Sequence, residues 1–198
     1  MNERPNVTGN KRAPMADRGN DLYETPEVAV HALLANEFVP NCVWEPCCGP
    51  GAIAKVLRAS GRNVFASDIV NYDTEEQDGV ADFLQVGSAA CGFDTIVTNP
   101  PFSKAEEFVA HGLELVPRVI MLLRLAFLES ERRRRILDTG NLVRVHVFRN
   151  RLPMMHRDGW EGPKASSGMA FAWFVFMRDY RGPIELRRIS WNPVYENR

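Results

Sequence analysis

The chain has no long hydrophobic run and little cysteine, and its formal charges nearly cancel. Across 198 residues no apolar stretch approaches the roughly 18 residues that a membrane-spanning helix needs. The N-terminus is polar and lacks the short apolar segment of a secretory signal, which points to the cytoplasm. The four cysteines, Cys42, Cys47, Cys48 and Cys91, match no zinc-ligand spacing, and the adjacent Cys47 and Cys48 make a poor disulfide. Free thiols in a reducing compartment, with no metal, are the expectation. A formal net charge of -1 excludes nothing by itself, but the charges are unevenly placed. Arg118, Arg124, the run Arg132 to Arg135, Arg144, Arg149, Arg151 and Arg157 share one segment that holds no lysine. Only Glu129, Glu131 and Asp138 oppose them there, and the rest of the chain is acidic on balance. A basic part beside an acidic one suits a polyanion bound on one side.

Hydrophobic residues make up 45% of the chain, an ordinary globular composition. Residues 1–20 carry scarcely any apolar side chains and read as a flexible tail, while 21–198 are long enough for one domain with a full core. Thr25 and Pro26 open a helix, Thr25 as N-cap and Pro26 at the first helical position. The segment from Cys42 to Glu45 and Pro46 is a short strand. The turn Cys47-Cys48-Gly49-Pro50-Gly51 follows, then a helix from Ala52 to Ser60. Strand, glycine turn and helix together begin a Rossmann-like unit, and the glycines let the backbone turn sharply and a ligand approach closely. Asn63 to Ile69 reads as a second strand ending in the acid Asp68. A short apolar segment around Asp82 and Phe83 comes after an acidic loop at 71–79.

The most informative stretch is Thr98-Asn99-Pro100-Pro101-Phe102. The apolar run before it, Phe93 to Val97, is a buried strand, and two consecutive prolines cannot continue its ladder. Asn99 is therefore held at a strand's carboxyl end, the edge of an open α/β sheet where ligands bind. An amide, a stiff turn with an available carbonyl and an aromatic ring suit a planar substrate with an exocyclic amino group. Beyond it, 105–115 has helical periodicity, Val119 to Leu123 is an apolar strand, and Glu129 to Asp138 a short helix. Val143 to Phe148 and Ala170 to Met177 read as two further strands. The polar loop 149–168 between them mixes basic and aromatic residues, including Arg149, Arg151, Trp160 and Lys164, as nucleic-acid-binding segments do. Whether 184–191 adds a strand is left open by the sequence.

Asn-Pro-Pro-Phe after a strand resembles the motif of the S-adenosylmethionine-dependent amino-methyltransferases, above all the DNA N6-adenine enzymes. Glu45-Pro46 ahead of Gly49-x-Gly51 resembles their cofactor loop, and Tyr23-Glu24-Thr25-Pro26 resembles a segment that meets the cofactor's methionine end. The resemblance spans roughly residues 22–177. It implies a mostly parallel seven-stranded sheet with helices on both faces, and a small phage-type or orphan enzyme without a separate target-recognition domain. It implies S-adenosylmethionine as cofactor, contacted by Tyr23, Thr25, Glu45, Pro46, Gly49, Gly51, Asp68, Ile69, Asp82, Phe83 and Asn99. Within that set Asp68 would take the ribose hydroxyls, Asp82 the adenine amino group, and Phe83 would lie alongside the adenine ring. Catalysis would fall to Asn99, Pro100, Pro101 and Phe102, with Phe102, Arg149, Arg151, Trp160 and Lys164 on a nucleic-acid substrate, DNA ahead of RNA. RNA adenine N6 or guanine N2, and protein glutamine, carry the same planar amino group and stay open as targets. The turn also matches Gly-x-Gly-x-x-Ala, so a dinucleotide-binding oxidoreductase is a rival, as is a non-catalytic nucleic-acid-binding module. Pro50 removes a phosphate-binding N–H and Glu45 sets a carboxylate at the mouth, which both count against the dinucleotide.

Overall fold

The structure, a computed structural model, describes residues 24–87, 92–154 and 168–192. The N-terminal tail, Tyr23, Cys91, Trp160 and Lys164 lie outside the described residues. Eight strands among the described residues form one sheet: β1 Cys42–Glu45, β2 Asn63–Asp68, β3 Gly79–Val80, β4 Thr95–Thr98, β5 Arg118–Arg124, β6 Leu142–Phe148, β7 Phe171–Met177 and β8 Glu185–Ile189. Their order is β3-β2-β1-β4-β5-β7-β6-β8. All pairings are parallel except those of β7, which runs antiparallel to both β5 and β6. The helices are α1 Glu27–Asn36, α2 Ala52–Ala59, α3 Ala105–Leu115 and the single turn α4 Arg134–Leu137.

Strand parity builds two cores, because successive side chains point to opposite faces. Ile120 and Leu122 of β5 join Trp173 and Val175 of β7 under α1 and α2. Val119, Met121 and Leu123 join Phe174 and Phe176 under α3 and α4. Both faces are covered, which is why β5 reads as an unbroken apolar run. No helix among the described residues is long and apolar enough to cross a membrane.

Two expectations need correction. The sheet has eight strands rather than seven, because β8 adds in parallel to β6. Four of its five residues are exposed, so the burial pattern that marks a strand in sequence is missing there. And α1 starts at Glu27, with Pro26 rather than Thr25 at the N-cap and no side-chain cap.

The arginine run is largely engaged within the protein. Arg132 pairs with Glu106 at 3.3 Å, and Arg134 with Glu131 and Asp138. Arg133 donates to the Ala126 and Phe127 carbonyls with its guanidinium 4.6 Å from the Phe127 ring centre. Those contacts tie Arg132, Arg133 and Arg134 to α3, α4 and the preceding 3-10 turns, with the Arg132 and Arg134 side chains largely exposed.

Candidate functional site

Register decides what meets at the carboxyl edge of the sheet. β1 lies between β2 and β4, with Glu45 opposite Ala66 and Trp44 opposite Ile96. Three parallel strands in that register deliver Glu45, Asp68 and, one residue beyond β4, Asn99 to one edge. Glu45, Asp68 and Asn99 line one cavity together with Thr25, Cys47 and Ile69, enclosing about 70 Å³. Glu24, Thr25, Pro50 and Ala52 also wall an adjoining cleft of about 570 Å³. The larger cleft is of the size that holds a cofactor-sized ligand.

The glycine turn is fixed by the next strand. Gly49 N donates to Asp68 Oδ2 at 2.9 Å, Cys48 N to the Ser67 carbonyl at 3.0 Å, and Val70 N to Asp68 Oδ1 at 3.1 Å. Gly51 has φ +97°, and a Cβ there would meet Glu76 Cβ at 2.2 Å. Only glycine tolerates both the conformation and that approach. Glu76 belongs to the acidic 71–79 loop, which Arg58 of α2 clamps through Glu76 at 2.6 Å and Asp78 at 2.6 Å. Arg58 was not singled out from the sequence. Its position on the outer side of a regular helix gives no local signal.

Electrostatics divide the site. Glu45 is 1% exposed, and its Oε2 has no hydrogen-bond partner. Burial, reinforced by the nearby charges of Asp68 and Glu76, holds its carboxyl well above the ordinary range against the Ala54 N–H and Arg58. Burial and the same acidic neighbourhood push the Cys48 thiol up to about 12 and raise Cys47 strongly as well. Both remain thiols at neutral pH, so neither serves as a nucleophile. The walls are rich in carboxylates, with Glu24, Glu27 and Glu76 also lining the larger cleft. Lys55 is the basic residue there and is paired with Glu27 at 2.8 Å. Such a lining favours a cationic ligand over a pyrophosphate.

At Asn99 the side-chain Nδ2 donates to Thr25 Oγ1 at 3.0 Å. Pro100 is buried and Pro101 half-buried, and Pro101 lines the cavity. Phe102 packs against Phe171 with ring centres 5.7 Å apart, and the Arg124 guanidinium lies 4.1 Å from the Phe102 ring centre. Arg124 ends β5; the sequence placed it in the basic segment but gave no sign of its contact with Phe102. Arg149 and Arg151 line a depression of about 260 Å³ with Phe148, Asn150 and Phe171 at the carboxyl end of β6.

Asp82 and Phe83 are not brought to this cavity. Asp82 Oδ1 accepts from Leu84 N at 3.1 Å, capping a 3-10 turn, and its carboxylate lines a separate open depression with Lys104 and His111. Phe83 is 2% exposed and packs against Trp44 at 5.3 Å and Phe108 at 4.8 Å between ring centres. Its ring belongs to the core cluster under α3.

No protein-family profile matches the sequence, and no curated protein does. Solved structures do share the fold. One is a Pyrococcus horikoshii protein described as an RNA methyltransferase, 13% identical with a TM-score of 0.57 over 84% of this chain and 90% of that one. Another is the magnesium protoporphyrin IX methyltransferase of Synechocystis with bound S-adenosylmethionine, 19% identical with a TM-score of 0.50 over 76% of each chain. A third is a modification subunit assigned to a type I restriction enzyme of Vibrio vulnificus, 16% identical with a TM-score of 0.52 over 91% of this chain and 49% of that one. The chain has the Rossmann-like fold of these proteins.

Proposed function

We propose that this protein transfers a methyl group from S-adenosylmethionine to the N6 amino group of adenine in DNA. The observation that carries the reading is the meeting, in one cavity, of the Glu45 carboxylate, the glycine turn and Asn99. Glu45 Oε2 is buried and unpartnered, a position that an α-ammonium group would satisfy. Gly49 and Gly51 would pass close to the ligand, and Asp68 and Ile69 would flank its ribose and base. S-adenosylmethionine would supply an electrophilic methyl carbon on a sulfonium sulfur, whose carbon–sulfur bond breaks to leave a neutral thioether.

The chain's own residues handle the acceptor. An aromatic amine is a weak nucleophile because its lone pair is delocalised into the ring. Asn99 Oδ1 and the Pro100 carbonyl accept its two N–H groups, which favours a pyramidal nitrogen and directs the lone pair into the chamber. An amide is no base, so Asn99 orients and stabilises developing charge, and the surplus proton leaves to solvent. Phe102 stacks on the base, and Arg124 gives up the ring face it covers when the base stacks there. Arg149 and Arg151 hold the polyanion beside the site, and in a duplex the base is flipped out.

Fold alone does not choose between a nucleic acid and a porphyrin, as the similar structures illustrate. The choice of adenine in DNA rests on the Asn99-Pro100-Pro101-Phe102 motif. Methyl-tritiated cofactor offered with DNA, RNA and protein in parallel tests it. Label in N6-methyladenine of DNA is expected, and label in RNA or protein alone would reject the substrate assignment.

A further inference from the structure

We infer that Thr25 is a positioning residue that fixes the amide of Asn99, rather than a cap of α1. The inference rests on the proposed methyltransferase reading. Thr25 does not cap the helix, since Pro26 holds that place and its carbonyl accepts from Ala29 N at 2.9 Å. Its hydroxyl instead accepts from Asn99 Nδ2 at 3.0 Å, across 74 positions of sequence, with Thr25 only 5% exposed.

Both partners are constrained in the same way. Thr25 precedes Pro26 and Asn99 precedes Pro100, and a residue before proline is confined to extended backbone. Thr25 is β-branched, so its χ1 is stiff as well. The helix that follows is pinned to the sheet. Trp173 Nε1 donates to the Ala29 carbonyl at 2.9 Å, and Glu37, just past its end, receives Arg118, Arg144 and His146. The hydroxyl therefore stands at a fixed point on the cavity wall. An asparagine amide can turn over, exchanging its acceptor for its donor. Catalysis here needs the acceptor, so anchoring the NH2 end sets which end of the amide, Oδ1 rather than Nδ2, meets the substrate amine.

Thr25→Val removes the hydroxyl at nearly constant shape. We expect kcat to fall about 10- to 100-fold, with the KM for S-adenosylmethionine and the affinity for S-adenosylhomocysteine within twofold of wild type. Thr25→Ser, which restores a hydroxyl, should recover most of the rate, and it remains informative if the valine variant folds poorly. Independently of activity, the Asn99 side-chain amide protons, assigned by NMR through their loss in Asn99→Ala, should exchange faster with solvent in Thr25→Val. A loss of cofactor affinity matching the loss of rate would make Thr25 a cofactor ligand and overturn the inference. So would an unchanged kcat, or unchanged amide exchange, in an otherwise active enzyme. Wild-type protein that neither binds S-adenosylhomocysteine nor transfers methyl groups would instead overturn the methyltransferase reading, and the inference with it.

Discussion

Replacing Glu37 by glutamine should lower stability by an amount that shrinks as the medium is made acidic. Glu37 follows α1 and is 8% exposed. Its carboxylate accepts from the guanidinium groups of Arg118 and Arg144 and from His146 Nε2 at 2.8 Å, and Arg144 continues to Glu185 at 2.6 Å. Burial works to raise its pKa, but hydrogen bonds from His146 and Arg144 and the charges of Arg144 and Arg118 outweigh it and hold the carboxyl at about 2, against an ordinary 4.5. At 1.36 kcal/mol per unit, that shift corresponds to about 3 kcal/mol of folding free energy. Because the folded-state pKa is depressed, the contribution is complete above about pH 4.5 and is lost as pH falls through 2. Glutamine keeps the shape and removes the charge. The stability difference between wild type and Glu37→Gln, from urea unfolding followed by circular dichroism, should be about 3 kcal/mol or more at pH 7, since two arginines lose a buried partner. By pH 3 the charge-dependent part should fall to less than half its neutral value. A difference that stays constant between pH 7 and pH 3 would refute this account of Glu37.

At the site, Glu45→Gln should weaken S-adenosylhomocysteine binding by about 1–3 kcal/mol, the loss expected for a buried charged hydrogen bond. Since Glu45 has a raised pKa, wild-type binding of an ammonium should release a proton and strengthen as pH rises, and calorimetry in two buffers should find that release absent in the variant. Asp68→Ala should weaken cofactor affinity by roughly 1–3 kcal/mol and loosen the turn that its carboxylate holds, and an unchanged dissociation constant would remove Asp68 from the site. Asn99→Ala should lower kcat by about 100-fold or more while leaving S-adenosylhomocysteine affinity within a few fold, as radiometric assay and calorimetry can check. Gly51→Ala should cost about 1–3 kcal/mol of stability in thermal unfolding, because the added methyl meets Glu76 and φ is +97°.

Much of the fold could be read locally, because a buried parallel strand and a glycine turn each announce themselves within a few residues. β5 is an apolar run, Pro100 and Pro101 end β4, and Gly49 and Gly51 mark the turn before α2. Three such signals also place Glu45, Asp68 and Asn99 together, since parallel strands must bring their carboxyl ends to one edge. What could not be read depends on which side chain satisfies which partner at long range. Phe83 enters the core because Trp44 and Phe108 close around it, a fact of α3 packing on β1 that no window of sequence contains. The same limit explains why Thr25 read as a helix cap. Its true partner stands 74 residues away, and the local rule for an N-cap hydroxyl is satisfied just as well by its sequence. Hydroxyls, amides and guanidinium groups have short-range preferences that several partners can meet, whereas an apolar face has only the core to go to. The candidate cavity is walled largely by contacts of the first kind, so local motifs bring its residues to one edge and the tertiary pairing of polar groups arranges them there.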